Sequence, residues 1–284
     1  MTPTKYEYRF DSISEMVEAI GAAPKVKSNT PSNHLFSDAT ASWFCEHRKV
    51  RSLDDVRGHL NAQTFEPGVA QVAELAAQLS APTPVSRRRK PIRAAEGDEL
   101  DMGRVWQGDL EHAWRNTKRE QSVGPSRVLV AVQINAHAGV SAERLAWRGA
   151  TALAYTSTLL DAGFVVELVA CARNTLLDNT HTPYSCDVTL LPAGGQLDIH
   201  KLASLVASGL LFRGVILPHE LIVSEQKLDY GISQSRGTLN TRQLDGTGFD
   251  YVAVIGEREE TQYNAESWLK TNIEALDASR EHAA

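Results

Sequence analysis

At 284 residues, with 42% hydrophobic and 23% charged residues, the chain has the composition of an ordinary soluble globular protein with room for one sizeable core and a smaller module. Its formal net charge of −6 argues against a surface built throughout for nucleic acid and leaves only a local patch for that role. No apolar run reaches the ~18–20 residues of a membrane helix. The opening MTPTKYEYRF lacks the apolar core of a secretion signal, and the three scattered cysteines Cys45, Cys171 and Cys186 read as free thiols of a cytoplasmic protein.

In chain order, residues 1–80 read as a small accessory module. YEYRF predicts a short strand, and Asp11-Ser12 caps a helix carrying Ile13, Met16, Val17 and Ile20 that Gly21 stops. The Ser-, Asn- and Pro-rich stretch 22–40 predicts a loop. Ser52-Leu53-Asp54-Asp55 caps a short helix to about His59, and Val69 to Leu79 forms an Ala-rich amphipathic helix.

Residues 81–97 read as a linker, since Pro82, Pro84 and Pro91 oppose regular helix. Its cluster Arg87, Arg88, Arg89, Lys90 and Arg93 offers phosphate contacts, or lies solvated against the acids Glu96, Asp98, Glu99 and Asp101 that follow. Residues 98–120 predict one helix, acidic at its start and basic at Lys118-Arg119, as the helix dipole favours. Trp106, Leu110 and Trp114 fall four apart on one face of it, suited to docking on the neighbouring domain or to binding another protein.

The stretch around which the rest is organised is Arg127–Asn174. A Val-rich strand (Arg127–Ile134), a helix from a Ser141 cap through Leu160 that ends at Ala162-Gly163, and a second strand (Phe164–Cys171) make a strand–helix–strand unit. Cys186–Leu191 predicts a third strand, antiparallel to the second because the link between them is too short for another helix. A helix from Asp198 to Leu210, a strand at Val215–Leu217, a polar surface loop over 224–248, a strand at Tyr251–Ile255 and a closing helix at Thr261–Leu276 complete an α/β domain over 126–284. The fold class is thus α/β, an open, mostly parallel sheet with an antiparallel edge and helices on both faces, plus an N-terminal α+β module.

A first strand, a long helix and an antiparallel edge hairpin in an open sheet resemble the von Willebrand factor A fold. Members of that family carry an Asp-x-Ser-x-Ser loop after the first strand, joined by a Thr and an Asp from later loops, that ligates Mg²⁺. The resemblance puts Gln133, Asn135 and His137 at the Asp and Ser positions and Gln196 at the Thr, with Asp198 beside it. Gln and Asn lack the negative charge that draws a hard cation from water, so a degenerate site with weak or no Mg²⁺ binding is implied. The segments GDELDMGRVWQGDLEHAW (97–114) and AERLAWRGATALA (142–154) resemble poorly characterised phage and mobile-element proteins, which implies architecture and context more than activity. Related A-like proteins work with AAA+ ATPases of the MoxR type, which implies such a partner.

Enzymatic patterns are thin. Asp198-x-His200 and His219-Glu220 hint at a metal hydrolase, with His137 and His181 nearby in sequence, yet no HExxH occurs. There is no GxSxG elbow and no phosphate-binding GxxxxGK[ST]. The sequence therefore predicts a non-enzymatic protein-binding adaptor or scaffold of phage or mobile-element type, without a cofactor, whose partner meets the strand-end loops around Gln133–Gly139 and Gly194–Asp198 through Gln133, Asn135, His137, Gln196 and Asp198, with Trp106 and Trp114 as a second contact. The alternatives are a nucleic-acid-associated protein acting through the basic linker and a virion component.

Overall fold

Tyr6, Tyr8 and Phe10 alternate with Glu7 and Arg9, the period of a strand with one buried face, and in the computed structural model Tyr6–Phe10 is the first strand, β1. The structure describes residues 6–22, 66–79, 92–95, 99–116, 126–135, 140–175, 183–206, 235–236 and 248–282, with single positions 58, 82, 97, 216, 219, 239 and 244. Two compact units divide the chain, one of Met1–Pro84 with Arg127–Ala284 and one of Val85–Ser126.

In the larger unit, helix α1 (Ile13–Ala22) follows β1. Its start is tied reciprocally: the Glu15 amide donates to Ser12 Oγ (3.1 Å), and the Glu15 carboxylate accepts from the Asp11 amide (2.7 Å). Helix α2 spans Glu66–Gln78. After the smaller unit, which holds β2 (Ile92–Ala94), β3 (Glu99–Leu100), α3 (Met102–Trp106) and β4 (Trp114–Asn116), come strand β5 (Arg127–Gln133), helix α4 (Ala142–Asp161), β6 (Val165–Thr175) and β7 (Pro183–Leu191). Then follow α5 (Ile199–Val206), β8 (Ser235–Arg236), β9 (Tyr251–Ile255) and the closing helix α6 (Gln262–His282).

The sheet runs β1-β7-β6-β5-β9, with β8 added on β6. β5 pairs in parallel with both β6 and β9, while β6 and β7 are antiparallel, as their short link demands. The protein is α/β with an open, mostly parallel sheet. The antiparallel pair, however, is internal. β1 lies outside it, parallel to β7 with Tyr6 opposite Tyr184.

That pairing corrects the reading of 1–80 as a module of its own. β1 has one apolar face and too few residues to bury it alone; the sheet's Tyr184 and Val188 supply the missing surface. Likewise Val72 of α2 and Leu79, just after it, are buried in the same core as Trp147, Ala150 and Leu159 of α4. The loop expected over 22–40 and the helix near His59 lie outside the described residues.

β5 is apolar on both faces because both are covered. Val128, Val130 and Val132 join a core with α1, α2, α4, α5 and α6. Leu129 and Ala131 face the other way, with Val169, Cys171, Leu239 and Leu244. Residues 224–248, expected as a polar surface loop, thus place two leucines in a core, and Ser235-Arg236 extends the sheet. Of the strand expected at 215–217 only Ile216, which is buried, lies among the described residues. Ser141 caps α4 by accepting from the Arg144 amide (3.3 Å), and Gly163 (φ 84°) ends it in the left-handed conformation. In α6 the buried Ala265, Leu269, Ile273 and Leu276 recur at helical spacing, and Trp268 donates from Nε1 to the Val254 carbonyl of β9 (2.9 Å).

In the smaller unit, β2 (Ile92–Ala94), β4 (Trp114–Asn116) and β3 (Glu99–Leu100) form an antiparallel sheet in that order. One helix over 98–120 is therefore wrong, and within the linker expected over 81–97, residues Ile92–Ala94 form a strand of this sheet. Helix α3 covers only Met102–Trp106, and a 3₁₀ turn spans Leu110–His112. Gly103 and Gly108 weaken a continuous helix, and Gly108 takes φ 77° between the two turns. Trp106, Leu110 and Trp114 consequently sit on a helix, a 3₁₀ turn and a strand.

Candidate functional site

Parallel strands deliver their loops to one end of a sheet, where open α/β proteins place ligands. Here that end of β5 and β9 is built around a buried cation. Arg148, on the sheet-facing side of α4, is fully buried. Its Nη1 donates to the carbonyls of Gln133 (2.7 Å) and Asn135 (3.1 Å), and its Nη2 to Glu260 Oε1 in the loop after β9. Arg144, one helical turn earlier and half-exposed, pairs with the second oxygen of Glu260. The carboxylate is thus held between two guanidiniums, the arrangement a desolvated charge requires.

The polar side chains at the strand end serve the same framework. Gln133 Oε1 accepts from the Leu239 amide (3.1 Å), and Asn135 Nδ2 donates to the Arg173 carbonyl (3.1 Å). Both residues are buried. Asn135 Oδ1 and Arg148 Nε have no partner among the described residues. Glu259 accepts from the Gly256 amide (2.7 Å), and burial pushes its carboxyl above the usual range against the pull of that bond and of Arg148. Beside this cluster lies a cleft of about 410 Å³ lined by Arg144, Glu257, Glu259, Glu260, Thr261 and Trp268, among others.

The structure does not bring the five sequence-derived candidates together. Gln133 and Asn135 are interior groups engaged with backbone, and His137 lies outside the described residues. Gln196 and Asp198 are exposed after β7. β7 runs opposite to β6, and β6 runs with β5, so the chain leaves β7 at the other end of the sheet. There Asp198 Oδ1 accepts from the His200 amide (2.9 Å) and starts α5.

His219 is also remote from Asp198. It is buried at the opposite end of β7, where its Nδ1 meets the Tyr184 hydroxyl (2.8 Å) and Tyr8 packs edge-on at 4.6 Å. Burial lowers its pKa to about 4. Among the described residues no three His, Cys, Asp or Glu side chains cluster as a metal site. Of the basic run, Arg87, Arg88, Arg89 and Lys90 lie outside the described residues, and Arg93 stands opposite Arg115 in β2–β4. No described helix is long and apolar enough to cross a membrane.

The smaller unit presents a different surface. Asp101 caps α3 by accepting from the Gly103 amide (3.2 Å), and its own amide donates to the Ala113 carbonyl (2.7 Å). Asp109 binds Arg104 (2.5 Å) and His112 (2.8 Å), and these bonds, that of His112 first, hold its carboxyl below the usual range. The loop so closed leaves Trp106 83%, Leu110 62% and Met102 52% exposed.

A family model described as a domain of unknown function, DUF7192, matches residues 1–276. The chain belongs to the DUF7192 family. No curated protein and no solved structure matches it. The match runs through both units of this DUF7192 chain, so the smaller unit is part of what the family shares.

Sequence reasoning passed over Arg148 and Glu260. The available signal was an arginine inside the apolar helix segment LAWRGATALA, since a charge on a buried face needs a partner.

Proposed function

We propose that this protein is a non-enzymatic, cytoplasmic adaptor that binds another protein, with the Trp106 surface as its contact site. The observation that carries this is the exposure of Trp106, Met102 and Leu110 on a loop whose shape is fixed by Asp101 and Asp109. Tryptophan is costly to leave in water and is enriched at the centres of binding surfaces. At the strand ends, the bonds that Gln133, Asn135, Arg148 and Glu260 make to one another and to backbone support a framework role for these groups.

The von Willebrand A-like reading draws support from β5, the long α4 and the β6–β7 hairpin. The guanidinium at the end of β5 supports a site with little call for Mg²⁺. A MoxR-type ATPase is the partner we propose on that resemblance, in a phage or mobile-element setting. Buried free thiols at Cys171 and Cys186 suit a reducing compartment.

The test is affinity capture from host lysate with the full chain and with Trp106→Ser, each with and without EDTA and nuclease. A protein retained through both treatments and lost with Trp106→Ser supports the adaptor. Loss with nuclease shifts the function to nucleic acid and the Arg87–Arg93 run, and loss with EDTA alone restores a metal role.

A further inference from the structure

We draw no further inference here: the strongest candidate, the cleft of about 410 Å³ where the loop after β9 meets the start of α6, is lined by the acidic cluster Glu257, Glu259 and Glu260 and carries nothing, because Glu260 is answered by Arg144 and Arg148, Glu259 accepts from the Gly256 amide, and no second observation among the described residues points to a ligand there.

Discussion

Arg148 and Glu260 meet inside the protein, joining α4 to the loop after β9 while Arg148 also holds the carbonyls that end β5. Glu260→Gln leaves the Arg148 charge in the core without a counter-ion, at a cost of about 3–5 kcal/mol, and Arg148→Met leaves the buried Glu260 carboxylate with half-exposed Arg144 alone. Arg148→Met and Glu260→Gln should each lower stability by that order in urea unfolding. Arg148→Met combined with Glu260→Leu should recover part of the loss, because an apolar pair leaves no charge without a counterpart. Additive losses in the double variant would show that the pair is not coupled.

His219 makes the fold sensitive to acid. The folded protein favours neutral imidazole, with a pKa of about 4 against 6.5 in the unfolded chain. The unfolded state therefore binds the proton first as pH falls. The stability held above about pH 6.5 is lost between there and pH 4, by on the order of 2 kcal/mol once residual solvent contact is allowed for. Urea midpoints across this window should fall for the natural protein and fall less for His219→Asn. Parallel profiles would assign the acid sensitivity elsewhere.

The strand–helix–strand core was legible because its signals are local: valines on a buried strand, a Ser141 cap, a glycine where α4 must end. The place of β1 was not, since nothing in YEYRF names Tyr184 as its neighbour. Trp106, Leu110 and Trp114 keep helical spacing by coincidence; Gly103 and Gly108 carried the better information. At the candidate site the resemblance directed attention to Gln133 and Asn135 as outward ligands, whereas a buried amide is as often a bracket for backbone. Arg148 finds its partner far along the chain, and a single sequence holds no trace of such a pairing.

Cys171 and Cys186 lie on neighbouring strands but join different cores, on opposite faces of the sheet, so no disulfide can link them without rebuilding β6 and β7. Burial, with Asp187 adding to it, pushes the Cys171 thiol well above its ordinary range, which suppresses the reactive thiolate. In a Cys45→Ser background the native protein should be inert to a thiol reagent, and both cysteines should react in denaturant. Prompt labelling of the native form would mean that β6 or β7 opens readily.

Asp109 organises the proposed contact surface through Arg104 and His112. Asp109→Ala should leave the melting temperature of the larger unit unchanged while raising amide hydrogen exchange across Arg104–Gly108. It should also weaken Trp106-dependent capture. Unchanged exchange would show that the Asp101 cap and Gly108 suffice to hold the loop.

Tyr155 carries the clearest polar excess in the core. Its ring packs edge-on against Trp268 at 5.0 Å, yet its buried hydroxyl has no partner among the described residues, and burial raises its pKa strongly. A buried hydroxyl without a hydrogen bond forfeits its solvation, at a cost of about 1–3 kcal/mol. Tyr155→Phe keeps the ring contact and removes that group, so it should be neutral or stabilise by up to about 1 kcal/mol. Tyr155→Ala should destabilise by about 3–5 kcal/mol through the cavity left between α4 and α6. Both follow from urea unfolding at neutral pH. A clear loss with Tyr155→Phe would show that the hydroxyl is satisfied, by a buried water or by a group outside the described residues, and that this core is held by a hydrogen bond as well as by packing.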